Sequence, residues 1–213
     1  KPFVGIAISG GGSRSASFGA AVMQELERYG FLEHVTAISG VSGGTLPSAY
    51  YVLKRNSPEW SWKTLRTLVA TNFYRKFLWQ HLNPWGLLNY LGTEYNRSDM
   101  MAEIFDDVLF RNATFGNLDP SLPTLLINAV ILHTGSRGQW AFTEQNFRWM
   151  NSSLKTFPIS RAVAASTAVP GIFNGVALRH YQLDGSYRYF HLVDGGISEN
   201  LGVEALIQLY INS

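Results

Sequence analysis

Short apolar runs that end at glycine alternate along this chain with longer stretches of helical periodicity, the arrangement expected of a layered α/β fold. Phe3-Val4-Gly5-Ile6-Ala7-Ile8 leads into three glycines, after which Ser15 to Tyr29 reads as a helix. Phe18, Val22, Leu26 and Tyr29 share one stripe of that helix and Gly30 stops it. Val35-Thr36-Ala37-Ile38-Ser39 is a second strand, followed by a helix from Gly43 to Arg55. Pro47 is tolerated near its start because first-turn N–H groups have no intrahelical partner. Asp99 to Phe110 sets Met101, Ile104, Phe105, Val108 and Leu109 on one face. Thr124 to Leu132 is an apolar strand, with Gln139 to Thr143 as its partner across Gly135-Ser136-Arg137-Gly138. Pro158 to Ala165 predicts a helix ended before Pro170, and Val203 to Ile211 a closing helix with Val203, Leu206, Ile207, Tyr210 and Ile211 aligned. The expectation is an α/β/α sandwich with a mostly parallel central sheet, a single domain over residues 1–213 with a helical, aromatic-rich cap or insertion at 59–115.

Composition narrows the class. The chain has 213 residues, 46% of them hydrophobic, enough for a sizeable core. Charged residues at 15% are sparse and aromatics at 14% are plentiful, which predicts a surface with apolar character. A net charge of +2 gives no electrostatic footprint for nucleic acid. With no cysteine, thiol nucleophiles and thiolate metal sites are excluded, and the five histidines lack metal-ligand spacing. Neither a metal nor an organic cofactor is expected. No apolar run approaches transmembrane length. Lys1-Pro2 leads directly into the first strand and Asn212-Ser213 follows the last helix, so the chain reads as a catalytic domain cut from a longer protein.

The candidate chemistry sits where the predicted strands end. Gly40-Val41-Ser42-Gly43-Gly44 follows the second strand and precedes a helix, the setting in which a tight turn presents a serine hydroxyl above a sheet edge. Ser9-Gly10-Gly11-Gly12-Ser13-Arg14 follows the first strand, and its glycines leave backbone N–H groups open to an oxyanion. Asp194-Gly195-Gly196 follows the apolar run Tyr189-Phe190-His191-Leu192-Val193. Asp184-Gly185, between His180–Leu183 and Ser186–Phe190, is instead a hairpin turn. Each of these patterns alone is weak, and a small serine in a tight turn is the ordinary reading of the first; together they supply a nucleophile, an oxyanion cradle and a carboxylate.

These three blocks resemble the patatin-like phospholipases and the related cytosolic phospholipase A2 group. Ala164-Ala165-Ser166-Thr167-Ala168-Val169-Pro170-Gly171-Ile172-Phe173 is similar to a block those proteins carry between serine and aspartate, and Asn200 fits their polar position after the aspartate. Ser9 departs from the aspartate many patatins have there, which brings the chain nearer the phospholipase A2 branch. The resemblance implies a lipid acyl hydrolase with a Ser–Asp dyad: Ser42 as nucleophile, Asp194 as base, Gly10, Gly11 and Gly12 as oxyanion hole, and Arg14 at a lipid phosphate or supporting the oxyanion loop. The implied partners are a phospholipid or other acyl-ester lipid and a membrane surface, with room for a protein activator; peripheral membrane association is compatible with this, and the sequence assigns no compartment.

Three other readings use the same residues. An inactive relative that binds lipid or protein keeps every motif. A Ser–His–Asp hydrolase needs a histidine after the acid, and His180 and His191 both precede Asp194. A dinucleotide site needs the third glycine of Gly-x-Gly-x-x-Gly, which the 10–15 segment lacks. Within the cap, Trp60, Trp62, Phe73, Tyr74, Phe77, Trp79, Trp85 and Tyr90, interleaved with Arg75 and Lys76, suit either a lipid-facing surface or an insert packed on the sheet.

Overall fold

The computed structural model describes residues 2–81, 95–133 and 136–212. Among the described residues six strands form one sheet: β1 (Gly5–Ile8), β2 (Ala37–Val41), β3 (Thr124–His133), β4 (Ser136–Ala141), β5 (Val176–Tyr181) and β6 (Tyr187–Asp194). β1, β2 and β3 are parallel neighbours, while β4 and β6 run antiparallel to β3, and β5 antiparallel to β6. Four of the six described strands, β1, β2, β3 and β5, therefore point the same way, as expected.

The long strand β3 organises the site. Asn128 faces Val41 of β2 across one edge and Ala141 of β4 across the other. The next four residues face β4 on one edge and β6 on the other, beginning with Ala129 opposite Asp194. So β2 and β6 share an edge of β3 and approach each other end to end, their last residues opposite adjacent positions of β3. This juxtaposition needs no crossover helix; it follows from β2 ending halfway along β3 and β6 arriving from the opposite direction.

The helices among the described residues are α1 (Gly12–Arg28), α2 (Thr45–Lys54), α3 (Trp62–Val69), α4 (Phe73–His81), α5 (Arg97–Phe105), α6 (Glu144–Trp149), α7 (Ile159–Ser166) and α8 (Val203–Ile211). One sheet face carries the main core, where Ile38, Leu125, Ile127 and Ala129 meet Leu46, Met101, Phe105 and Val163. On the other face α8 packs Ala205 and Leu206 on Ala37 and Leu126. Leu65, Val69, Phe73 and Phe77 of α3 and α4 join the main core, and Trp60 and Trp62 pack with Tyr51, whereas Trp79 is 64% exposed. Trp85 and Tyr90 lie outside the described residues.

Several boundaries and faces differ from the sequence reading. α1 begins within the glycines, and its large stripe is not its buried face: Phe18 is 73% exposed, and Ala16, Gly19, Ala20 and Met23 face inward. The reason is distance. A methyl group on Gly19 would lie 2.8 Å from Ile8 Cγ2, so only a small-residue face lets the helix lie this close to β1. Phe18 and Val22 instead line, with Ile6, Arg14 and the 9–11 loop, an open groove of about 500 Å³ along β1. α5 starts two residues early, where Asn96 and Asp99 form a reciprocal N-terminal cap, and its last turn, 106–110, widens to a π turn. β4 starts at Ser136, earlier than the predicted strand, within the segment read from the sequence as the connecting turn. Only Ala205 and Leu206 of α8 are buried, leaving Ile207, Tyr210 and Ile211 exposed. The Asp184-Gly185 turn forms as expected: Asp184 Oδ1 accepts from the Ser186 N–H at 2.9 Å, and Gly185 adopts φ 83°.

Candidate active site

Ser42 sits at the strand–helix junction between β2 and α2 with φ 49°, a left-handed conformation that strains a residue with a Cβ. The chain makes this turn because Gly40, Gly43 and Gly44 have no side chain. A Cβ on Gly40 would lie 2.8 Å from Thr45 Cα, and one on Gly43 would land on the Gly12 carbonyl. The second relation shows that the glycine-rich loop after β1 is packed directly on the turn after β2. A single 3₁₀ turn, Ser42–Gly44, carries the chain into α2, and Thr45 Oγ1 donates to the Ser42 carbonyl at 2.5 Å.

Asp194 ends β6 and is 6% exposed. Ser42 Oγ donates to its Oδ2 at 2.7 Å, and the Gly196 N–H donates to its Oδ1 at 2.8 Å. Its own N–H donates to the Ala168 carbonyl at 3.0 Å. Burial pushes the Asp194 carboxyl above the usual carboxylate range, opposed by the hydrogen bonds from Gly196 and Ser42. A raised pKa makes the carboxylate a better acceptor for the serine proton, and the 2.7 Å contact places it within transfer reach.

The glycine loop divides in function. The Gly10 N–H donates to the Asn200 carbonyl at 3.0 Å, tying the loop to the segment after Asp194. The N–H groups of Gly11 and Gly12 have no partner among the described residues. They open α1, whose N-terminal residue Gly11 makes no side-chain cap and whose first turn has no acid; α2 likewise starts uncapped and without an acid. Two positive helix ends therefore flank Ser42 without an internal counter-charge. Arg14, exposed in the first turn of α1, lines the groove beside Ser9, Gly10 and Gly11 and forms no ion pair among the described residues.

Beneath the turn lies a buried polar group that the sequence reading did not single out. The Ser42 N–H donates to Ser166 Oγ at 2.9 Å, and Ser166 Oγ donates to the Asn128 carbonyl at 2.5 Å. Asn128 Nδ2 donates to Ser39 Oγ and to the Gly40 carbonyl, both at 2.8 Å. A lone asparagine within the apolar run Thr124 to Leu132 was the available signal, since a buried amide in mid-strand is retained only with partners. Among the described residues no group of His, Asp and Glu is clustered to hold a metal ion, and no helix is long and apolar enough to cross a membrane.

The strained strand–helix turn thus brings the Ser42 hydroxyl onto the buried Asp194 carboxylate, close to the glycine loop after β1. The patatin-like phospholipase family model matches residues 6–207, and the chain belongs to that family. No curated protein sequence matches it. Human GIVD cytosolic phospholipase A2 is structurally similar, with a TM-score of 0.60 at 17% identity, covering 96% of this chain and 41% of that one. VipD from Legionella pneumophila gives a TM-score of 0.51 at 14% identity, covering 94% and 47%. ExoU of Pseudomonas aeruginosa, in its complex with SpcU, gives 0.50 at 19% identity, covering 79% and 39%. The chain thus spans less than half the length of each of these neighbours.

Proposed function

We propose that the protein is a lipid acyl hydrolase in which Ser42 is the nucleophile and Asp194 the base. The observation that carries this is the 2.7 Å hydrogen bond from Ser42 Oγ to a buried carboxylate with a raised pKa. Asp194 takes the hydroxyl proton as Oγ attacks the ester carbonyl. The unpartnered N–H groups of Gly11 and Gly12 hold the tetrahedral oxyanion, while Gly10 anchors their loop through Asn200. Collapse expels the alcohol, which takes the proton back, and leaves an acyl-serine; Asp194 then draws a proton from water to release the fatty acid. Arg14 supplies a cation for a phosphate at the groove mouth, which favours phospholipid or lysophospholipid. No step needs a metal.

The test is reaction with a fluorophosphonate probe followed by peptide mapping, and a lipid panel assayed for fatty-acid release. An adduct at Ser42 with fatty acid released from phospholipid is expected. A well-folded protein that stays unlabelled with and without vesicles overturns the reading and leaves a binding role.

The 59–115 segment is the proposed lipid contact. Tyr74, Leu78 and Trp79 are exposed on α4, with Arg75 and Lys76 among them. The Tyr74 ring lies 6.2 Å from that of Phe173, on the same loop after α7 as Ala168, the acceptor of the Asp194 N–H. Replacing Leu78 and Trp79 together by serine should lower partitioning onto phosphatidylcholine–phosphatidylglycerol vesicles by at least about tenfold, from lost apolar burial. Hydrolysis of a soluble ester should be unaltered. Unchanged co-sedimentation would remove α4 from the membrane contact.

A further inference from the structure

The C-terminal end of α7 holds both members of the dyad by their backbones. Ser166, the last residue of the helix and 0% exposed, accepts the Ser42 N–H at 2.9 Å. Two residues on, the Ala168 carbonyl accepts the Asp194 N–H at 3.0 Å. One short stretch of chain thereby sets the distance between strands that meet only end to end. Those strand ends have no ladder between them, so the shared edge of β3 and this stretch fix their separation.

The Ser166 hydroxyl has a task no other small side chain performs. With its strained φ of 49°, Ser42 directs its N–H to the buried Ser166. That buried N–H needs an acceptor, and the Asn128 carbonyl beside it needs a donor. One hydroxyl meets both needs, accepting from Ser42 and donating to Asn128. Asn128 continues the brace by donating to Ser39 Oγ and the Gly40 carbonyl, which pins the strand that delivers Ser42. Ser166→Ala leaves two buried groups unpaired and frees the turn to relax toward ordinary φ, moving Ser42 Oγ off Asp194.

We infer that Ser166 is a positioning residue for the Ser42–Asp194 pair, acting through the nucleophile's backbone; this rests on the reading of that pair as catalytic. The test is a fluorophosphonate labelling time course on wild type, Ser166→Ala and Ser166→Cys, with p-nitrophenyl butyrate kinetics and thermal melts beside it. Ser166→Ala should label to the wild-type endpoint about 10- to 100-fold more slowly, with kcat lowered and KM nearly unchanged. Ser166→Cys, close in shape but weak in hydrogen bonding, should fall between and serves if the alanine variant does not fold. Wild-type labelling rates in either variant overturn the inference. So does a lowered endpoint with an unchanged rate, which reports only a smaller folded fraction. An unlabelled wild type overturns the dyad itself and is told apart by that result.

Discussion

Ser42→Ala is expected to abolish fluorophosphonate labelling and to lower ester hydrolysis by at least about 10⁴-fold, the scale seen when a nucleophile is removed and only binding and the oxyanion site remain. The fold should survive, because what the site needs from Ser42 structurally is its backbone. The N–H bond to Ser166 and the carbonyl bond from Thr45 do not involve the side chain. The strained φ of 49° is the same for alanine as for serine, since both carry a Cβ. The one side-chain bond lost is the contact to Asp194, so stability should fall by no more than about 1–3 kcal/mol. Thermal melts and labelling on the same preparation separate the two effects. Residual hydrolysis above a hundredth of wild type would mean that another group attacks the ester.

Such a variant isolates the part of the site that was legible in the sequence. Ser42 and Asp194 stand out because each follows an apolar run and precedes glycines, and a strand end is where local composition speaks most clearly. Their meeting was implied by the family resemblance and by nothing in the local pattern. It depends on β2 and β6 lying on the same edge of β3, and no local pattern in either strand reports which edge of a third strand it will occupy. The same limit hid the brace. Asn128 lies in a run whose other members are apolar, and Ser166 in an alanine-rich helix, so each looks unremarkable until the fold brings β3 and α7 under the turn. The face of α1 failed for a different reason. Periodicity marks a stripe of large residues, but close packing on β1 selects the small ones, and Phe18 and Val22 of the large stripe are left to line the groove beside Arg14. The glycine loop shows a third limit: three equivalent glycines in sequence become one anchored N–H and two open ones only once Asn200 is placed opposite.

Asp194→Asn should be equally inactive in turnover, by at least about 10³-fold, yet no less stable than wild type at neutral pH. The shape is nearly unchanged, and asparagine satisfies the same partners with its oxygen on the Gly196 N–H and its nitrogen toward Ser42. That nitrogen is a donor. Ser42 Oγ becomes the acceptor of the bond it formerly donated, and its proton has nowhere to go. Stability follows from the raised carboxyl pKa. Burial disfavours the ionised form in the folded state, so the folded protein binds a proton more tightly than the unfolded chain does. The stability this contributes is fully present below the unfolded aspartate pKa, near about 3.9, and is lost as pH rises through the higher folded value. At neutral pH wild type bears the whole penalty of a buried charge, and the amide does not. The melting temperature of Asp194→Asn should therefore equal or exceed that of wild type at pH 7, with the difference shrinking on acidification. Catalysis has the opposite sign, because only the ionised base works: wild-type kcat/KM should fall on acidification with an inflection above the ordinary aspartate range. A melting temperature well below wild type at pH 7 would show that the Asp194 charge holds the fold together, and the desolvated base would have to be abandoned.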